Sequence, residues 1–312
     1  MVPPLERCAK ECPMSAPRVS IICPIYNRIR FLGEAIESVL RQDFLDYELL
    51  LLDDGSTDGS AELARSYGNR YPNRIRYLEH PGHINRGAAP SRNLALRASC
   101  GELVSFIDSD DVWRPHKLRE QVKIMDDNPS IGLLCGTVNY WSSWCGGKDR
   151  LVPTGHVRDS ASGPIDTLLQ VYPLGEAHAP CPSDVLLRRE IVGNEPFEQQ
   201  FVGAAQLYED QAFLVKAYLA APTFFSSRIW LDYRQHPDSC DSVAVREGLY
   251  ETARAQFLEW MAQYARSLEI REKNRILARI AEAQQDLGHP KAARLRRLGR
   301  RARSAVSRAI RN

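Results

Sequence analysis

The sequence predicts an α/β fold: a largely parallel sheet covered by helices on both faces. Three observations carry that reading. Short apolar runs at residues 19–25, 47–52, 74–79 and 102–107 have the length of buried strands. Segments with apolar residues at helical spacing separate them, and alternating strands and helices imply right-handed crossovers between parallel strands. Polar clusters at 24–27, 53–58 and 108–111 close three of the runs. In such sheets the ligand crevice lies beyond the carboxyl ends of the strands.

Each element follows from local chemistry. After a polar, Pro-containing leader over 1–17, Val19-Ser20-Ile21-Ile22-Cys23-Pro24-Ile25 reads as a strand ended near a proline. Residues 31–42 carry Leu32, Ala35, Ile36, Val39 and Leu40 on one helical face. A strand at 47–52 leads into Asp53-Asp54-Gly55-Ser56-Thr57-Asp58, which supplies turn and cap chemistry for a helix near 59–67. A strand at 74–79, a helix at 88–98 and a strand at 102–107 follow. Arg114-Pro115 opens another helix, Pro115 being tolerated in its first turn, with Leu118, Val122 and Met125 on one face. Residues 131–140 read as a strand, and the loop 141–147 is rich in Trp and Gly. The stretch 160–206 is punctuated by Pro and Gly, holds a candidate strand at 183–187 and suits substrate loops. Glu209-Asp210 opens a helix that runs to residue 220, a strand spans 223–234, and from about Arg246 the pattern is helical.

Composition sets the broad class. With 312 residues, 44% of them hydrophobic, the chain can bury a core for one large domain plus an appendage. No stretch approaches the roughly 20 apolar residues that span a bilayer, and the first residues lack a signal peptide's apolar core, so the expected address is the cytoplasm. The eight cysteines lack paired spacing and read as mostly reduced thiols. Residues 291–312 hold nine Lys or Arg and no acid, which leaves a net −7 on residues 1–290 of a chain whose total is +2. That basic end, with Leu295, Leu298, Ala302, Val306 and Ile310 along one helical face, suits either an anionic membrane surface or packing on the rest of the molecule. Nucleic acid is disfavoured, because no aromatic residues interleave the charge.

The acidic stretch Phe106-Ile107-Asp108-Ser109-Asp110-Asp111 gathers three carboxylates at a strand exit. They repel one another unless a cation, hydrogen bonds or water neutralises them, and hard cations such as Mg²⁺ or Mn²⁺ prefer oxygen ligands. Alone, the string is equally compatible with a solvated helix-capping turn.

Taken in order, the motifs resemble the inverting family 2 glycosyltransferases, which have the GT-A fold and use nucleotide-diphosphate sugars. The resemblance covers residues 18 to about 239. It rests on Val19 to Asn27, Leu52-Asp53-Asp54-Gly55-Ser56-Thr57-Asp58, Asn85-Arg86-Gly87 with Arg92-Asn93, the acidic stretch, Glu209-Asp210, and Tyr233-Arg234-Gln235-His236. It implies a GT-A domain at 18–245, with a nucleotide-sugar half (18–113) and an acceptor half (114–245), and a helical extension at 246–312 with the basic amphipathic end.

Roles follow from the resemblance. Pro24, Tyr26, Asn27 and Asp54 fall in the donor site, Asp54 accepting from a base N–H, while Asp58 caps the next helix. Arg92 either reaches the diphosphate or braces the pocket, the rival reading being a plain surface arginine. Asp108 and Asp110 fit the DxD motif, Asp110 as the direct metal ligand, Asp108 as a ribose or water-mediated contact and possible second ligand, with Ser109 on the donor and Asp111 in support. The cofactor is Mn²⁺ or Mg²⁺; His236 is either a third ligand, which favours Mn²⁺, or a structural residue. Asp210 is the base that deprotonates the acceptor hydroxyl, and its neighbour Glu209 raises its pKa by like-charge repulsion. The acceptor, a glycan or lipid-linked glycan, is expected against Trp141, Trp144 and His178, near the Pro-rich loop 180–183. No QxxRW motif or membrane helix accompanies these, which points to single addition; the donor is expected to be UDP-linked and the address the cytoplasm or the cytoplasmic face of a membrane. The competing reading is a non-catalytic nucleotide-sugar or glycan-binding module. A Rossmann oxidoreductase is weaker still, because no GxGxxG turn follows the first strand.

Overall fold

A computed structural model describes residues 16–288 apart from 157 and 194. The leader, except for residues 16 and 17, and the basic end at 291–312 lie outside the described residues. The first half alternates as expected: β1 (Val19–Ile25), α1 (Ile29–Leu40), β2 (Tyr47–Asp53), α2 (Ser60–Arg70), β3 (Ile75–Glu79), α3 (Ala88–Ala98) and β4 (Leu103–Phe106). Then come β5 (Val112–Trp113), α4 (Lys117–Asp127), β6 (Leu133–Trp141), β7 (Arg150–Pro153), β8 (Ser160–Ser162), α5 (Pro164–Gln170), β9 (Leu186–Arg188) and α6 (Arg189–Val192). The chain finishes with α7 (Glu209–Ala220), β10 (Thr223–Arg234), α8 (Cys240–Arg246), α9 (Tyr250–Ser267) and α10 (Lys273–Gly288).

The strands form one sheet in the order β3-β2-β1-β4-β9-β6-β10-β5, with β7 on β6 and β8 on β10. From β3 to β4 every pairing is parallel. Beyond β4 the sheet is mixed, because β9 runs antiparallel to both β4 and β6 while β6 and β10 pair in parallel. The expected strand at 183–187 starts later, at Leu186, because Pro182–Asp184 makes a 3₁₀ turn. Pro115 also sits outside its helix: residues 112–113 pair with β10 as a short strand, Lys117 N donates to Arg114 O, and α4 begins only at Lys117.

Strand periodicity divides the core. Ile21, Cys23, Ile25, Leu49 and Leu51 face one layer with α1, α2 and α4. Ile22, Leu50, Leu52, Val104 and Phe106 face the other, with α3, α7, α9 and α10. The C-terminal helices join this second core directly. Phe257 of α9 is fully buried and stacks on Tyr208 with ring centroids 4.8 Å apart, while Ile276 and Ile280 of α10 lie in the same cluster.

A buried polar strap crosses beneath the sheet exits. Lys117 Nζ donates to Gln121 Oε1 (2.8 Å) and to the Asp184 carbonyl (3.0 Å), and the Asp184 carboxylate accepts from Gly136 N (2.5 Å). Burial pushes Lys117 down to about 8 and Asp184 up to about 6, each restrained by the other's charge. The strap fixes the 182–184 turn, whose Ser183 Oγ accepts from Asp108 N at 2.9 Å. Five described cysteines, Cys23, Cys135, Cys145, Cys181 and Cys240, are free thiols, as expected, but Cys100 is disulfide-bonded, which its spacing from other cysteines did not signal.

Because α9 shares its core with α7 and β4, Phe257→Ala should destabilise the whole molecule by about 3–5 kcal/mol, the usual cost of truncating a buried Phe. Chemical denaturation should show one shifted transition; an unshifted midpoint would mean that the extension does not stabilise the rest.

Candidate active site

Three strand exits and the start of α7 converge on a cavity of about 730 Å³, within the range of small-molecule sites. Pro24, Tyr26, Asp54, Arg92, Asp108, Ser109, Asp110, His178, Glu209 and Asp210, all predicted from sequence, line it. Asn27, Trp141, Trp144 and His236 do not.

The β2 exit is shaped by hydrogen bonds to carboxylates. Asp53 Oδ2 accepts from Gly55 N and Ser56 N at 3.0 Å each. Gly55 adopts φ +78°, and a Cβ there would meet Asn85 N at 2.7 Å, so only glycine lets the 83–87 loop rest on this turn. That loop supplies the partners of Asp54, whose two oxygens accept from Arg86 N (2.7 Å) and Gly87 N (2.8 Å). Burial raises the Asp54 pKa, and these amides oppose the rise. Asp58 caps two helices: Oδ1 accepts from Ser60 N (3.0 Å) and Oδ2 from Ile29 N (3.0 Å). Asn27, at φ +49°, ties the loops together, its Oδ1 accepting from Thr57 N at 2.8 Å.

At the β4 exit, Arg92 of α3 settles the choice between bracing the pocket and lying on the surface. Only 5% exposed, it donates to Asp108 Oδ1 at 2.8 Å and to Glu209 Oε1, bridging the acidic stretch to the first turn of α7. Asp110 Oδ2 receives Arg28 Nε (3.1 Å) and contacts His236 Nε2 (3.1 Å). Burial would raise Asp110, yet the His236 hydrogen bond and the Arg28 charge hold it below the usual carboxylate range. Asp111 is pushed well above that range by burial, reinforced by Asp110 and Asp108; its Oδ1 accepts from Arg234 N at 3.0 Å.

Asp210 sits deep in the cavity wall, and burial pushes it up to about 6, opposed by Arg92 and reinforced by Asp108. The neighbour expected to raise it was Glu209. Arg92 draws Glu209 away, so burial and Asp108 are the causes.

Trp141 and Trp144 instead cradle Arg234, whose guanidinium lies 4.4 and 4.9 Å from their ring centroids. The aromatic groups in the cavity are tyrosines, among them Tyr140, Tyr172, Tyr208, Tyr233 and Tyr250. They come from separate elements and share no local pattern, so the sequence carried no signal for them. Arg28, whose contact with Asp110 spans 82 positions, was equally unmarked.

Residues 20–193, more than half of the chain, match the Glycosyl transferase family 2 profile. The chain belongs to glycosyl transferase family 2. Curated relatives include the putative teichuronic acid biosynthesis glycosyltransferase TuaG of Bacillus subtilis, 40% identical over 111 residues (35% of this chain, 42% of the relative). An uncharacterized glycosyltransferase of Nostoc sp. is 36% identical over 117 residues (38% of this chain, 35% of the relative). The chain thus spans less than half the length of these relatives. Among solved structures, S. aureus TarS 1-349 in complex with UDP-GlcNAc aligns over 85% of this chain and 72% of its own, with TM-score 0.66 and 23% identity. The mannosyltransferase PcManGT from Pyrobaculum calidifontis, in complex with GDP-Man and Mn²⁺, covers 93% of this chain and 81% of its own, with TM-score 0.53 and 20% identity. These likenesses establish the fold, which is GT-A.

Removing the bridge leaves the buried Glu209 and the partly buried Asp108 without their cation. Arg92→Met should therefore destabilise the protein by about 3–5 kcal/mol, with Arg92→Lys milder. Thermal and denaturant melts check this, and a Met variant as stable as wild type contradicts the bridging role.

Proposed function

We propose that this protein transfers one sugar, with inversion, from a nucleotide-diphosphate donor, UDP-linked, to a hydroxyl of a glycan or glycolipid. The observation that carries the reading is the pairing of two differently tuned acids in one cavity. Asp210 is held near 6, suited to take a proton, and Asp110 is held low, suited to face cations. TarS solved with UDP-GlcNAc and TuaG named for teichuronic acid biosynthesis support a sugar-nucleotide donor and a cell-surface glycan acceptor.

The donor groups fall along the strand exits. Pro24, Tyr26 and Asp54 border the part of the cavity assigned to the nucleoside, and Asp108, Ser109 and Asp110 the part assigned to ribose and diphosphate. Asp54 keeps acceptor capacity, since a carboxylate carries about four lone-pair sites and two are engaged by Arg86 and Gly87.

The residues also fit a divalent cation. Asp110 Oδ2 and His236 Nε2 stand 3.1 Å apart, and Asp108 adds a second carboxylate. Among the described residues no group of three or more His, Cys, Asp or Glu forms a metal cage. Diphosphate oxygens and water therefore complete the shell, as is usual for Mg²⁺ and related cations at phosphate sites. When bound, the cation neutralises negative charge on the departing nucleotide diphosphate. Asp110 and His236 would hold it, with Asp108 reaching it through water, and the imidazole would favour Mn²⁺. Asp210 takes the acceptor's proton as the hydroxyl attacks the anomeric carbon from the face opposite the leaving group. Glu209, locked to Arg92, fixes the start of α7 and hence the position of Asp210.

Among the described residues no helix is long and apolar enough to cross a membrane. We place the enzyme in the cytoplasm, at the membrane face through the basic end at 291–312.

Asp210→Asn should lower transfer by about 10²–10⁴-fold with UDP affinity retained; loss of UDP binding instead would refute the base assignment. The wild-type rate should fall as pH drops through about 6, where Asp210 takes up its proton, and stay level above it. A pH–rate profile with its acid limb near 4 contradicts this. Chelation should abolish transfer, Mn²⁺ should restore it, and Asp110→Asn should weaken the restoration; activity unchanged by chelation rules the cation out.

A further inference from the structure

Tyr233, Asp241 and Tyr250 line the cavity from β10, α8 and α9, all beyond the segment that matches the family profile. Tyr233 stands beside Tyr140 on the neighbouring strand, ring centroids 5.2 Å apart. Tyr250, in the first turn of α9, donates from its hydroxyl to Tyr172 Oη at 3.3 Å. Asp241, in the first turn of α8, lines the same cavity, and both Tyr140 and Tyr233 feel its negative charge.

Asp241 differs from the other acids of the cavity. Asp54, Asp108, Asp110 and Glu209 are each tied to backbone amides, guanidinium groups or His236. Asp241 accepts no hydrogen bond and forms no ion pair among the described residues. An acid in a helix's first turn complements the helix dipole without further purpose. Asp241 is solvent-exposed where it lines the cavity, which leaves its carboxylate open to a ligand. Charge narrows the choice of ligand: seven carboxylates and three guanidinium groups line the cavity, and all three guanidiniums are engaged, by Asp110, by Asp108 and Glu209, and by Glu34. An acceptor unit carrying phosphate or carboxylate would meet like charge here.

We infer that Tyr140, Tyr233, Tyr250 and Asp241 form an acceptor subsite for an uncharged or amino-bearing pyranose. The rings take the sugar's apolar face, and Asp241 accepts from its hydroxyl or ammonium groups. The inference rests on the sugar-transfer reading above and names the class of acceptor that reading leaves open.

The test uses the full chain and p-nitrophenyl glycosides of glucose, glucosamine and glucuronic acid, with binding measured by calorimetry with and without UDP and Mn²⁺. The glucoside and glucosaminide should bind, and the glucuronide at least about tenfold more weakly. Asp241→Asn should weaken the glucosaminide by about tenfold and the glucoside by less than about threefold. Tyr250→Ala should weaken all three, while Tyr250→Phe, which keeps the ring and the fold, should retain glucoside binding. UDP affinity should be unchanged in every variant. Glycoside binding that is absent, tightest for the glucuronide, or insensitive to both Asp241→Asn and Tyr250→Ala overturns the subsite. If the glycosides behave as expected but UDP does not bind wild type, the donor reading fails and the subsite stands.

Discussion

The bridge from Arg92 to Asp108 and Glu209 is the constraint on which the site depends. Four parts of the chain meet there: α3 supplies the cation, the β4 exit and the first turn of α7 supply the anions, and Phe197 covers the guanidinium with its centroid 5.6 Å away. A buried guanidinium is tolerated only with its charge matched, and here both terminal nitrogens of Arg92 are paired with carboxylates while Nε has no partner. Neither carboxylate can drift without stranding it. The distance between the β4 exit and the start of α7 is therefore set by a charge network rather than by loop conformation. Beneath it, the Lys117–Asp184 strap fixes Ser183 and through it the backbone of Asp108.

The same electrostatics explain Arg28 and His236. With several acids around one cavity, Asp110 is stabilised as an anion only by those two groups. On the proposed reaction the donor's diphosphate adds more negative charge, which the acids already present oppose. A cation relieves that conflict, and Asp110, held low and flanked by an imidazole, is the carboxylate best suited to receive it. Arg28 then becomes free to turn toward a phosphate oxygen.

Much of this was legible because it is local. β1 and α3 begin and end where apolar periodicity placed them, and Asp58 caps as an Asp before a helix should. The three polar clusters reached one sheet edge because parallel topology admits little else. What escaped the sequence depends on long-range register. β9 is three residues long and overlaps the expected strand at 183–187 only at its end, and no local pattern marks that it reverses direction inside the sheet. Trp141 and Trp144 looked like sugar platforms by residue type, but Arg234 claims their faces. Asn27 fell in the donor motif, yet its positive φ and its bond to Thr57 make it a loop tie. The tyrosines of the cavity wall come from β6, β10, the segments before α7 and the start of α9, and no local spacing encodes their meeting.

The carboxylates at the site divide by environment rather than by chemistry. Asp111 is buried with one oxygen unpartnered, and burial pushes its carboxyl well above the usual range. Asp110 meets two cationic or hydrogen-bonding partners and stays ionised. Asp210 lies between these extremes, desolvated enough to hold a proton near neutral pH but restrained by Arg92 from climbing further. On the proposed reaction Asp210 must be ionised to act and basic enough to accept the proton, and a value near 6 meets both demands at neutral pH. Arg92 thus serves two ends with one charge: it keeps Asp210 within the working range and pins Glu209, so that the two neighbouring acids at the start of α7 take different parts.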